Sequence, residues 1–178
     1  MGWWWTLSAG RPRAGDLATR RVVAVAVAVL VLDQLTKRLI VASLERGQRE
    51  TFLPLLDLVH VRNDGVAFSS FAGKPWIVGI LVGAALIALT VWFLRNRGLP
   101  MAWLAAGMLA GGALGNVLDR ITEGAVIDFL QPPNWPAFNI ADVAIVVGMA
   151  LLVFVVEREH RRTEAAERRR RGTDPQRG

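Results

Sequence analysis

GGALGNVLDRITEGAVIDFLQPPNWPAFNIAD, residues 111–142, decides how the chain is read. The stretch begins inside an apolar run and leaves it through Asp119, Arg120 and Glu123. It then sets Asp128 between Val126-Ile127 and Phe129-Leu130, crosses Pro132, Pro133 and Pro136, and re-enters apolar sequence at Asn139 and Asp142. An ionisable side chain at the centre of a membrane helix costs roughly 2.5–3.5 kcal/mol on insertion scales, so acids kept there are paired, functional or both. The prolines forbid a regular helix after Asp128 and turn the chain back toward Asp142. The expectation is that Asp128 and Asp142 face each other across a cleft and share one proton.

Composition supports a membrane setting. The 178 residues are 53% hydrophobic with a mean hydropathy of +0.36, too apolar for an ordinary soluble domain. The formal charge of +6 comes from arginines gathered at the two ends and in the short loop Arg95-Asn96-Arg97-Gly98. That distribution marks the cytoplasmic flanks of membrane helices rather than a nucleic-acid surface. The absence of Cys excludes disulfides, thiolate nucleophiles and Cys-ligated zinc, and with two His no metal site or cofactor is expected.

Outward from the opening stretch, four spans are expected at about 21–41, 75–94, 101–118 and 139–156, each near the length needed for a ~30 Å hydrocarbon layer. The run VVAVAVAVLVLDQLTKRLIV reads as the first helix by its length, with Asp33 and Lys37 four apart on one face, acid first. Two readings share that spacing: a simple neutralising pair, and a pair that also braces an active site. Residues 42–74 form a polar interlude in which LVHVRN alternates as a strand would and Asn63-Asp64-Gly65 signals a turn. Asn63 either closes that turn or offers its amide to an extended peptide. GMLAGGALGN in the third span supplies small residues for close helix approach, not a phosphate loop.

The division expected is therefore a cytoplasmic N-terminal extension (1–20), a four-helix membrane domain (21–157) and a basic, disordered cytoplasmic tail (158–178). The fold class is all-α membrane protein, with a small extracytoplasmic β-rich segment between the first two helices. Basic flanks put both termini in the cytoplasm and the chemistry at the outer leaflet. Trp3, Trp4 and Trp5 suit either a headgroup anchor or a loose extension.

Asn116, Asp119 and Arg120 share a helical face, which suits an Asp-Arg pair at a helix end. Asn139 and Asp142 have the spacing of an N-cap and an acid at N3. Asp128 fits neither pattern. A carboxylate among apolar side chains, with a second one nearby, keeps its proton to higher pH, and the pair can then deprotonate water and hydrogen-bond a carbonyl.

DQLTK (33–37), NDGVAFS (63–69), GGALGNVLDR (111–120), VIDF (126–129) and FNIAD (138–142) together resemble the lipoprotein signal peptidases, signal peptidase II. The resemblance implies a four-helix aspartic endopeptidase of the bacterial inner membrane, sensitive to globomycin. Its partners would be membrane lipids and prolipoproteins bearing a diacylglyceryl Cys, cleaved just before that residue. It implies Asp128 and Asp142 as the catalytic pair. Asn63, Gly112, Asn116, Asp119, Arg120 and Asn139 then line or brace the substrate site, and Asp33 and Lys37 support it. Intramembrane acids also suit a proton-coupled transporter, and small polar residues a non-enzymatic scaffold.

Overall fold

The computed structural model describes residues 14–63 and 75–172. Four helices, α1 (Ala14–Ser43), α2 (Pro75–Arg95), α3 (Ala102–Thr122) and α4 (Ile140–Gly172), are joined by a sheet of β1 (Arg49–Leu53), β2 (Leu56–Asn63) and β3 (Val126–Gln131). The Trp triplet and the part of the NDGVAFS motif after Asn63 lie outside the described residues. By length and composition α4 holds the one described stretch long and apolar enough to cross a membrane, and α2 holds a shorter apolar helix, Gly79–Arg95.

α3 lies between α1 and α4 and packs against both. Glycine makes this possible. A Cβ at Gly111 would fall 2.6 Å from the Ala26 carbonyl oxygen of α1, and one at Gly112 would fall 2.5 Å from the Ala141 carbonyl of α4. At Gly115 it would meet the Asp33 carboxylate at 2.6 Å. The small residues read from the sequence as packing positions thus let α1 and α4 approach α3 on backbone contact.

α1 sorts its residues by face. Val23, Val27, Val31, Leu35 and Leu39, four apart, are all exposed, while Asp33, Lys37 and Ile40 are buried against the rest of the molecule. At one end of the bundle Ala18, Phe93, Ala102, Ala106 and Val155 form an apolar core. At the other, Ile40 and Leu44 pack with Phe129 and seat the sheet on the end of α1.

The sheet is antiparallel in the order β1-β2-β3. β2 is the strand expected from LVHVRN. β3 was not expected: the β-rich segment draws its third strand from the far side of α3, so it is not confined between the first two helices. Gly124, at φ 75, makes the left-handed turn that leads into β3. After β3 the proline loop reverses, and Phe138 pairs with Leu130 through hydrogen bonds of 2.9 Å in both directions. That pairing starts α4 beside the strand it has just left.

The tail, expected to be a frayed helix passing into disorder, continues α4 as helix to Gly172. The physical reason is local: acids and bases alternate four apart, as in the 2.7 Å pair of Arg161 with Glu157, and such pairs with Ala165 and Ala166 favour helix over coil.

Candidate active site

Asn139 precedes α4, and its side-chain oxygen accepts from the Asp142 N–H at 2.9 Å while the Asp142 carboxylate accepts from the Asn139 N–H at 3.3 Å. This reciprocal cap is the structural role their spacing suggested. It leaves the other half of each side chain free. Asn139 Nδ2 donates to Asp128 Oδ1 at 2.7 Å, and Asp142 Oδ1 accepts from Asn116 Nδ2 at 2.7 Å. The cap and the functional reading therefore coexist in the same two residues.

Asp128 is 2% exposed, on β3 between apolar neighbours. Its Oδ2 accepts from Asn63 Nδ2 at 2.9 Å; the turn expected at Asn63-Asp64-Gly65 lies outside the described residues after Asn63. Burial is the largest influence on Asp128 and pushes its pKa from the usual 3.8 up to about 6. The Asn63 hydrogen bond opposes that rise, the nearby Asp142 charge adds to it, and Asn139 and the more distant Lys37 oppose it. Asp142 is half-buried. Among the described residues neither carboxylate of this pair takes part in an ion pair.

A second acidic cluster lies behind the first. Lys37 reaches Asp33 Oδ2 at 2.8 Å, as the four-residue spacing implied, and also Asp119 Oδ2 at 2.7 Å. Its third contact is Asn116 Oδ1 at 3.1 Å. Asp33 Oδ1 caps the first turn of α4 by accepting from the Ala141 N–H at 2.9 Å, and Asp119 Oδ2 accepts from the Ile127 N–H at 3.1 Å, one residue before Asp128. The expected pairing of Asp119 with Arg120 does not form. Adjacent residues diverge by about 100° around a helix of 3.6 residues per turn, so Asp119 turns inward to Lys37 while Arg120 bonds the Asn116 carbonyl at 3.0 Å.

The sequence reading missed Gln34, whose Nε2 donates to Asp119 Oδ1 at 2.7 Å. Its signal was its place in DQLTK, beside Asp33 and three residues before Lys37, on a helix whose inward face was already marked by that pair. Gly112 and Gly115 admit Ala141 and Asp33 to α3, and the Gly115 carbonyl also accepts from Gln34 Nε2 at 3.4 Å. Of the residues singled out beforehand, Asn63, Asn116, Asp128, Asn139 and Asp142 form one connected hydrogen-bonded group. Asp33, Lys37 and Asp119 join it through Asn116.

Chemically, two carboxylates held close in a buried setting retain a proton that isolated acids would lose. One oxygen can then accept a proton from water while the protonated partner donates to a carbonyl.

A family model described as signal peptidase (SPase) II matches residues 25–157. The lipoprotein signal peptidase of Syntrophomonas wolfei is 40% identical over 137 residues, covering 76% of this chain and 92% of its own. That of Pseudoalteromonas atlantica is 45% identical over 144 residues, covering 75% and 87%. A bacterial membrane enzyme solved by the in meso method at 1.9 Å resolution superposes with a TM-score of 0.70 at 32% identity, covering 76% of this chain and 91% of the other. The chain belongs to the signal peptidase II family of peptidases.

Proposed function

We propose that this protein is a membrane aspartic endopeptidase that removes the signal peptide from diacylglyceryl-modified prolipoproteins, cutting before the lipid-bearing Cys, with Asp128 and Asp142 as its catalytic pair. The observation that carries the reading is the contact of two acids from separate motifs, VIDF and FNIAD, with the same amide chain: Asn139 on Asp128 at 2.7 Å and Asn116 on Asp142 at 2.7 Å. In the proposed reaction the pair holds one proton. The ionised carboxylate takes a proton from water as that water attacks the scissile carbonyl, and the protonated one donates to the carbonyl oxygen. The proton then passes to the leaving amine. Asn63, Asn116 and Asn139 keep both acids in place.

The setting proposed is the bacterial inner membrane with four spans, both termini cytoplasmic and the sheet at the outer face. The exposed apolar stripe of α1 supports a lipid-facing helix, and exposed Phe52, Leu53 and Leu55 on the β1–β2 hairpin suit the membrane interface. A tag in the Arg95–Gly98 loop and one at the C-terminus should report cytoplasm, and one near Gly47 the outer face. Opposite locations for the two ends would overturn this arrangement.

The function is tested by incubating purified protein with a diacylglyceryl-modified reporter. Cleavage before the modified Cys, blocked by globomycin and unaffected by EDTA, is the result expected. No cleavage, or cleavage lost to EDTA and restored by a divalent ion, would overturn it. A proton-coupled transporter or a scaffold would not hydrolyse the reporter at all.

A further inference from the structure

We propose that Lys37 is a positioning residue: it fixes which way the Asn116 amide faces, and so aims a hydrogen-bond donor at Asp142. The inference rests on Asp142 being catalytic, as proposed above. It goes beyond neutralisation of buried acids, which is the ordinary task of a buried lysine.

The two ends of a carboxamide are nearly the same size, so packing does not choose between them and hydrogen-bond chemistry does. An ammonium group only donates. Lys37 spends its three protons on Asp33 at 2.8 Å, Asp119 at 2.7 Å and Asn116 Oδ1 at 3.1 Å. The Asn116 oxygen must therefore face Lys37, which leaves its Nδ2 facing Asp142 Oδ1 at 2.7 Å.

Asn139 cannot set this orientation alone. Its own oxygen is held by the Asp142 N–H, so its Nδ2 faces three acceptors: Asn116 Oδ1 at 3.1 Å, Ile127 O at 3.3 Å and Asp128 Oδ1 at 2.7 Å. With two protons to place, it remains satisfied by Asp128 and Ile127 if Asn116 turns over. Lys37 has no such alternative. Were Asn116 to flip, its oxygen would confront Asp142 at 2.7 Å, a distance two acceptors tolerate only with a proton between them. The direction of this one amide thus decides where the shared proton of the pair can sit. The charged groups that bear on the amide are Asp33 and Lys37 of α1, Asp119 and Arg120 of α3, Asp128 of β3 and Asp142 of α4.

The test separates orientation from charge. The double variant Lys37→Met/Asp119→Asn removes one positive and one negative group, so the net charge beside the pair is unchanged while the amide loses its director. Reporter cleavage is measured across pH for this variant and wild type, with melting temperature recorded alongside. The proposal expects a melting temperature below wild type, because Asp33 stays buried without its cation, and in the folded variant a kcat lower by about 10²-fold, the size of effect seen when one oriented donor is lost, KM little changed, and a displaced pH profile. Wild-type kcat with an unmoved profile would overturn it. Should the double variant fail to fold, Asn116→Leu leaves Lys37 its two carboxylates and removes the donor to Asp142. It should show the same loss and displacement, and wild-type behaviour there would equally overturn the proposal. A wild-type protein that fails to cleave the reporter would instead count against the catalytic reading itself.

Discussion

Two groups of buried acids sit side by side in this molecule and are neutralised in different ways. Asp33 and Asp119 share the ammonium of Lys37, every proton of which is used, and they tie α1 to α3 and α4. Among the described residues, Asp128 and Asp142 receive amide and backbone donors, from Asn63, Asn116 and Asn139. Carboxylates matched to a cation have no reason to exchange a proton, and their work is to hold helices together. In the proposed mechanism, two carboxylates matched to neutral donors hold one proton between them, and that proton is the one used in the chemistry.

If the distinction is right, breaking the first group costs stability and breaking the second costs turnover. The largest stability loss should follow Lys37→Met alone, which leaves Asp33 and Asp119 buried without their cation. Loss of one partner from a buried pair costs about 3–5 kcal/mol. Thermal unfolding in detergent checks this, and a variant that melts like wild type would dissolve the distinction. A smaller loss, about 1–3 kcal/mol, should follow Gly115→Ala, whose new Cβ would meet the Asp33 carboxylate at 2.6 Å and force it from Lys37 or from Ala141.

The smallest effect sharpens the second group. The folded pKa of Asp128, about 6, lies above its ordinary value of 3.8. Between those values the folded state binds more protons than the unfolded one, so the contribution of Asp128 to stability falls as pH rises from about 4 to 6 and is level beyond. Asp128→Asn should remove that slope from the stability curve. A curve of unchanged slope would place the proton elsewhere.

What could be read from the sequence follows the range of the interactions. Asp33 with Lys37, and Asn139 with Asp142, are four and three residues apart, so helical geometry alone predicted both contacts. LVHVRN announced β2 by its alternation. β3 escaped because VIDFLQ is short, is buried over its first four residues and so does not alternate, and pairs with a strand more than sixty residues away. The same distance hid the meeting of Lys37 with Asp119, and the nearer Arg120 was taken as the partner in its place. The helical part of the tail was underestimated for the opposite reason: composition suggested fraying where local acid–base pairs carry the helix to Gly172. The expectation that Asp128 pairs with Asp142 came instead from the prolines, which implied a reversal, and from the motifs shared with a known family; the structure links the two through Asn139 and Asn116.

The most direct test of the central claim compares Asp128→Asn with Asp119→Asn, each purified, with reporter cleavage and melting temperature measured on the same preparation. The account predicts that Asp128→Asn folds like wild type and has no detectable turnover, whereas Asp119→Asn melts lower and still cleaves. Near-normal turnover in Asp128→Asn, with turnover abolished in a well-folded Asp119→Asn, would contradict it.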